Sequence, residues 1–526
     1  MPMYRDYCSS SAASHIPKRV ALLAVGFLLM AGCATNPVTG RNELMLIPES
    51  MEIRMGQENY LPSRQMQGGD YVADPSVTTY IREVGQKMAA VSDRKLPYEF
   101  VVVNDSGINA WMLPGGKMGI NRGLLLKMDN EAELAAVIGH EITHAAAKHS
   151  AKQMQQALLL QGAAVAASIA IEASTDNAFT RNAGVIGAQA ATVLLQSKFS
   201  RDDESQADHY GMVYMSRAGY NPQAAVSVQE LLLKASQGRP DNLFSRLLAD
   251  HPPSADRVAA NRAFAGQLPA GGETGKIVYH QRLARLFRSA PAYEAYDKGK
   301  VALKKGDYKA ARVLADRAIG IEPKEALFHL LKGNALAGGS KNRSAVSEYR
   351  RATSLNPGYY ASHLKLGLLL DSLGDRRQAQ TELESSVRLL KTAPALYTLG
   401  RYARDAGDFA SAKSYLKVAA RDSGRDGRAA FADLLRFDLP AHAGEYLSAR
   451  LFLNDRGQVD SIIQNNTPFP VGQIVVEIWS GGSRKRIALD RAIKGNAQSV
   501  FHSGMTGTQA QVDNAVITVI SARLEK

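Results

Sequence analysis

Two registers of small residues recur in step through the second half of the chain. Gly299, Gly333, Gly367 and Gly400 are spaced 34, 34 and 33 residues apart, and Ala311, Ala345, Ala379 and Ala412 repeat the same spacings. Ala318, Ala352 and Ala419 mark a third register with Ser386 in the remaining place, and Pro323 and Pro357 close the first two units. A period of this length holds two helices and their turns, and small residues are needed where the two helices cross closely. A single unit cannot bury its own apolar face, whereas stacked units bury a continuous core. Four units from about residue 292 suffice for a helical solenoid.

These registers resemble tetratricopeptide repeats, which places an α-solenoid over 276–440. Beyond it the runs SARLFLNDRGQV, QIVVEIWS, SVFHS and AVITVISARL are β-branched or alternating and are separated by Gly, Asn and Pro. That pattern predicts a small antiparallel β domain over 441–526. With 526 residues the chain has room for roughly three or four domains, so 33–275 is expected to form a unit of its own.

The charge is unevenly divided. Residues 276–526 carry 39 Lys+Arg against 24 Asp+Glu, and the remainder 24 against 26. The cations of the basic half are scattered through the repeats and form no strip interleaved with aromatics, which argues against a nucleic-acid partner.

Lys18 and Arg19 precede the apolar run 20–31, then Gly32 and Cys33. Twelve residues are too few for the roughly 20 of a spanning helix, and this is the layout of a signal peptide over 1–32. It resembles a bacterial lipoprotein precursor cleaved before an acylated Cys33, although Met30 stands where that family prefers Leu. Ala34 after the cysteine implies, by the same resemblance, sorting to the outer membrane. Ordinary secretion to a soluble periplasmic form is the alternative. The only other cysteine, Cys8, leaves with the signal, so no internal disulfide is expected in an oxidising compartment.

In the first half, 52–90 reads as mostly helical and 98–103 as a strand. Residues 109–122, NAWMLPGGKMGINR, carry a Pro-Gly-Gly breaker between two short apolar pieces, which predicts a hairpin or edge strand. The run 157–172 is interrupted by Gln161 and is shorter than a membrane span, so a buried or lid-like helix is expected. Asn130 has the chemistry of an N-cap, and 131–149 is Ala-rich with acids at its start and a basic end, which favours one continuous helix.

That helix contains His140-Glu141-Ile142-Thr143-His144. Histidines at i and i+4 share a face and their imidazoles converge on one ion, best suited to Zn2+. Glu141 is turned about 100° from His140, beside the ion, where it acts as a base toward water held there. About 60 residues on, Glu204 and Asp208 lie one turn apart in a second predicted helix. Glu204 is a candidate third ligand, and Asp208 is suited to accept the free ring N–H of a ligating histidine; a plain salt-bridge face gives the same letters. His149 falls about 180° around the first helix and is left out of the metal shell.

The motifs NPVTG, NAWMLPGG, HEITHAAAKH and the E-x-x-x-D of the second helix, in this order over 36–260, resemble metallopeptidase family 48, the HtpX/BepA-like gluzincin zinc peptidases. The resemblance implies that His140, His144 and Glu204 bind zinc, that Glu141 is the general base, and that Asp208 supports a ligand. It places Asn109 and Ala110 on an edge strand that pairs with the substrate backbone, and such pairing implies loose sequence specificity. His251-Pro252 and Arg257 match the family's H-P-x-x-x-x-R segment. His251 either caps the zinc as a fourth ligand or swings away to stabilise the oxyanion.

The expected fold is therefore α+β and mainly α: a helical gluzincin-type domain with a small edge sheet, a tetratricopeptide solenoid, and a small antiparallel β domain. The expected function is a zinc metalloendopeptidase, held at the outer membrane on its periplasmic side, that cleaves unfolded or misassembled proteins, with repeats that recruit β-barrel precursors or their assembly machinery. A scaffold or chaperone with a structural or self-capped zinc site is the alternative, and an envelope module for acidic glycans a third reading.

Overall fold

The computed structural model describes residues 33–156, 199–237 and 245–525. Residues 1–32, expected to be a signal peptide, and the apolar run at 157–172, expected to be a buried or lid-like helix, lie outside the described residues. The chain divides into two compact units, 1–359 and 360–526. Among the described residues no helix is long and apolar enough to cross a membrane.

Unit one opens with a hairpin of β1 (Cys33–Thr35) and β2 (Asn42–Leu44). The NPVTG segment forms its turn: the Asn36 side chain accepts from the amides of Val38 and Thr39 and donates to the carbonyl of Ala147 at 3.1 Å. Two helices follow, α1 (Glu49–Met66) and α2 (Pro75–Ala90). Asp74 caps α2 through the amide of Ser76, and Val77, Tyr80, Ile81, Val84 and Met88 bury one face at helical spacing.

The sheet consists of β3 (Glu99–Val103), β4 (Ala110–Leu113) and β5 (Lys117–Asn121). The fully buried β5 is central, parallel to β3 and antiparallel to β4, which leaves β4 at the edge. Gly115 and Gly116 sit at φ 78° and 82°, a conformation that a side chain disfavours, so the turn between β4 and β5 requires glycine. The Pro-Gly-Gly breaker thus builds both a hairpin and an edge strand.

After the short α3 (Arg122–Leu125) come α4 (Glu131–Ala146), α5 (Arg201–Arg217), α6 (Gln223–Gln237), α7 (Ser245–Asp250) and α8 (Ala255–Ala265). Asn130 caps α4, its side chain accepting from the amide of Glu133 at 2.9 Å. The helix expected to reach His149 stops at Ala146. The backbone turns through the left-handed region at Lys148 (φ 60°) and a new helical segment starts at His149. Arg94 donates to the carbonyl of Ala145 at 2.9 Å and Asn36 to that of Ala147, so two buried carbonyls at the helix end find side-chain donors.

The 34-residue period resolves into pairs of helices. In unit one these are Ala284–Lys304 with Tyr308–Ile321 and Ala326–Gly338 with Asn342–Leu355. A Cβ on Gly333 would stand 2.5 Å from the ring of Tyr349, and Ala311, Ala318, Ala345 and Ala352 are fully buried. A buried network ties the first pairs to the sheet. Arg122 lies 3.3 Å over the ring of Tyr293 and donates to Asn104 and Ser106, while Asn104 and Tyr293 both donate to Glu325.

Unit two contains the pairs Tyr360–Ser372 with Arg376–Leu389 and Ala393–Asp405 with Phe409–Ala419, then a helix at Arg425–His442. The strands β6 (Leu447–Leu453), β7 (Gln458–Asn465), β8 (Val471–Ser480), β9 (Ser483–Ala488), β10 (Gln498–Thr506) and β11 (Val516–Leu524) make two antiparallel three-stranded sheets, ordered β10-β7-β6 and β11-β8-β9. Ile463, Val476, Phe501 and Val519 fill their common core together with Leu435 and Leu439 from the preceding helix.

Candidate active site

Two helices bring the polar side chains together because their backbones touch. Where α4 meets α5, a Cβ on Gly139 would be 3.0 Å from the carbonyl oxygen of Gly211, and one on Gly211 would be 3.0 Å from the amide nitrogen of His140. α5 is held at its start by a reciprocal Ser200 and Asp203 capping box, and its first turn is acidic, as favours a helix N-terminus. His140 and His144 on α4 therefore face Glu204 and Asp208 on α5.

His140 Nε2 lies 3.1 Å from His144 Nε2 and 3.7 Å from Glu204 Oε2, and His144 Nε2 lies 3.5 Å from Glu204 Oε1. His251, just past α7, completes the group, its Nδ1 at 3.2 Å from His140 Nε2 and 2.9 Å from Glu204 Oε1. The four donor atoms all lie within 4.8 Å of one another. Metal–ligand bonds of 2.0–2.1 Å in a tetrahedron put neighbouring donors about 3.3 Å apart, so three imidazoles and one carboxylate at these separations fit a zinc-sized ion. Glu141 is buried beside the group with Oε1 3.4 Å from His251 Nε2.

A second layer fixes the rings. Asp208 Oδ1 is 3.0 Å from His140 Nδ1, and His149 Nδ1 is 2.9 Å from His144 Nδ1, so each ring presents Nε2 inward. Phe199 stacks on His144 at 3.8 Å between ring centroids. Arg257 grips Asp208 with Nε and Nη2, both at 2.9 Å, and reaches Glu204 with Nη1 at 2.7 Å. It stands behind the two carboxylates, in contact with both.

The electrostatics favour cationic charge at this spot. Burial alone raises the carboxyl of Asp208, but His140 and Arg257 outweigh it and bring it down to about 2. Glu204 is likewise held well below the usual carboxylate range, its burial overcome by His251, His144 and His140. Burial opposes a charge on His251, yet Glu204 and Glu141 push it up to about 9, while burial drives His144 well down.

Ala110 is the first residue of β4, opposite Ile120, and the carbonyl of Asn109 accepts from the amide of Asn121. Both are buried at the edge strand and neither belongs to the donor group. Cys33 begins β1.

Residues 75–265 match the profile of peptidase family M48. Over 348 residues the chain is 26% identical to the beta-barrel assembly-enhancing protease of Escherichia coli K12, covering 61% of this chain and 70% of that one. It is 30% identical to the protein of that name from Yersinia pestis, covering 42% of this chain and only 45% of the relative. The metalloprotease YcaL of Escherichia coli K12 is 30% identical over 196 residues, which cover 37% of this chain and 73% of YcaL. The chain belongs to peptidase family M48. It is a metallopeptidase, and the M48 match contains every residue of the donor group as well as Glu141, Asp208 and Arg257.

Three features of this M48 site escape a sequence reading. His149 faces His144 only because the helix breaks at Lys148, which undoes an argument from helical rotation. Gly139 and Gly211 are ordinary letters until the crossing makes them neighbours. Phe199 lies just ahead of α5, and no periodicity marks it as the ring that covers His144.

Proposed function

We propose that this metallopeptidase is a zinc endopeptidase of the periplasm, tethered to the outer membrane through an acylated Cys33, that cleaves unfolded or misassembled proteins during β-barrel assembly. The observation that carries the chemistry is the convergence of His140, His144, Glu204 and His251, with Glu141 at their side. The names of the Escherichia coli and Yersinia pestis relatives support β-barrel assembly as the setting, and the helix pairs suit the recruitment of protein clients or assembly machinery.

In this reading His140, His144 and Glu204 hold the ion. Zinc, when bound, supplies a Lewis acid that lowers the pKa of water and polarises a carbonyl. Glu141 takes the proton from the attacking water and returns it to the leaving amine. Asp208 holds the His140 Nδ1–H, and Arg257 keeps both carboxylates of α5 in place. Asn109 and Ala110 on the edge strand pair with the substrate backbone, which holds an extended peptide with little demand on its side chains.

His251 supports a second, latent state. With its Nδ1 in the donor group it fills the position that an open catalytic site keeps free. Once withdrawn, it lies in reach of the oxyanion. A scaffold with a closed zinc site is the corresponding alternative function.

One assay separates these readings. The full chain is incubated with zinc and casein beside Glu141→Gln and His251→Ala, fragments are followed by mass spectrometry and metal content is measured on the same samples. Cutting that disappears in Glu141→Gln and rises in His251→Ala supports the self-capped peptidase. Zinc in every sample with no cutting in any favours the scaffold. Loss of membrane-bound, lipid-labelled protein in Cys33→Ser tests the anchor.

A further inference from the structure

Beside Glu141 and His251 a partly open cleft runs between α4, α5, α6 and α7. Its walls are apolar, built by Val137, Met212, Leu232 and Leu247. Gln229 of α6 interrupts them and is only 7% exposed. Its Nε2 donates to Asp208 Oδ1 at 3.1 Å. An ionised carboxylate only accepts, so this bond decides which end of the amide faces Asp208. The opposite end, Oε1, is buried and has no hydrogen-bond partner among the described residues. A buried acceptor left without a donor is costly. An apolar cleft with one such acceptor discriminates by what the occupant offers it, because a ligand lacking the donor strands the oxygen.

We propose that this cleft receives the substrate side chain next to the scissile bond, and that Gln229 makes it prefer an apolar body carrying an O–H or N–H, tyrosine or tryptophan, over phenylalanine or leucine. The assignment rests on the peptidase reading above, in which Glu141 works at the mouth of the cleft. Backbone pairing along β4 is indifferent to side chains, so the cleft is where a preference enters. Gln229 joins two tasks, since the amide that offers Oε1 to the substrate also holds Asp208 behind His140.

Cleavage sites in a denatured protein digested by the metal-loaded full chain are mapped by mass spectrometry, with Tyr and Trp expected to be enriched at one fixed flank. Two peptides that differ only by Tyr or Phe at that flank are then compared. The Tyr peptide is expected to be favoured about three- to tenfold in kcat/KM, the worth of one hydrogen bond. The same preference is expected in Kd for the inactive Glu141→Gln variant, with the peptides also tried in the opposite orientation around the bond. Gln229→Met should bring the ratio to about one, and Gln229→Asn, which withdraws the amide by one methylene, should lower it by a smaller factor. A weakened hold on Asp208 slows both peptides alike and leaves the ratio untouched. A ratio of one in the unaltered chain, or one that persists in both Gln229 variants, overturns the assignment. If the chain cuts neither peptide but the Glu141→Gln variant binds the Tyr peptide more tightly through Gln229, the peptidase reading and the place beside a scissile bond fall, while the preference of the cleft for a donor-bearing side chain stands; equal binding of both overturns that preference whatever the catalytic result.

Discussion

Glycine lets helices cross closely both at the donor group and within the helix pairs, but it meets different neighbours in the two places. A Cβ on Gly400 would come 2.8 Å from the Leu416 side chain, and one on Gly367 2.8 Å from that of Leu383. Leucine can change rotamer, so the repeats absorb such a methyl by local repacking. At Gly211 the atoms at 3.0 to 3.3 Å are the backbone of Gly139 and His140. They can yield only if α4 and α5 separate, and that separation moves His140 away from Glu204. The same residue type fills space in the repeats and sets the distance between donor side chains at the site.

The sharpest break of this comparison is chemical. Glu141→Gln should lower kcat/KM on an unfolded protein by about 10²- to 10⁴-fold while zinc content and thermal melting stay as they were. Gly400→Ala should leave the cleavage of a short peptide unaltered. Arg257→Ala comes next: with Glu204 and Asp208 left without their cation, metal affinity measured by competition with a chelator should fall about 10- to 100-fold. A direct contrast then pairs Gly211→Ala with Gly400→Ala. The first should cost about tenfold in metal affinity through displaced ligands, and the second about 1 kcal/mol of stability in denaturant with no change in metal affinity. Equal loss of metal in both variants would break the comparison. The smallest effect belongs to His149→Asn, about threefold in metal affinity, because Phe199 still stacks on His144.

The site was legible where its logic is local. His140 and His144 share a helix face by spacing alone, and Glu204 and Asp208 do so on a second predicted helix. His251 and Arg257 were found only through family resemblance, since no period connects them to either helix. Arg257 then proved to stand behind the carboxylates, a placement visible only once three hydrogen-bond and ion-pair geometries are seen together. His149 was left out of the metal shell, and it does lie outside the donor group, although the helical rotation argued for it is cancelled by the turn at Lys148. The Pro-Gly-Gly breaker marked a hairpin correctly, because positive φ at Gly115 and Gly116 is a property of the residues themselves.

What the amino-acid order determined by itself was whatever repeats or caps within a few turns of chain: the 34-residue helix pairs, the capped starts of α4 and α5, the alternating strands near the C-terminus, and the two i, i+4 pairs His140/His144 and Glu204/Asp208. Only the tertiary structure decided how far apart those pairs stand, which rings back them, and that the Gln229 amide keeps a buried oxygen without a hydrogen-bond partner among the described residues. The physical reason is that spacing constrains a side chain's direction within its own helix, whereas its distance to another helix depends on the atoms at the crossing, and those meet only when the chain has folded.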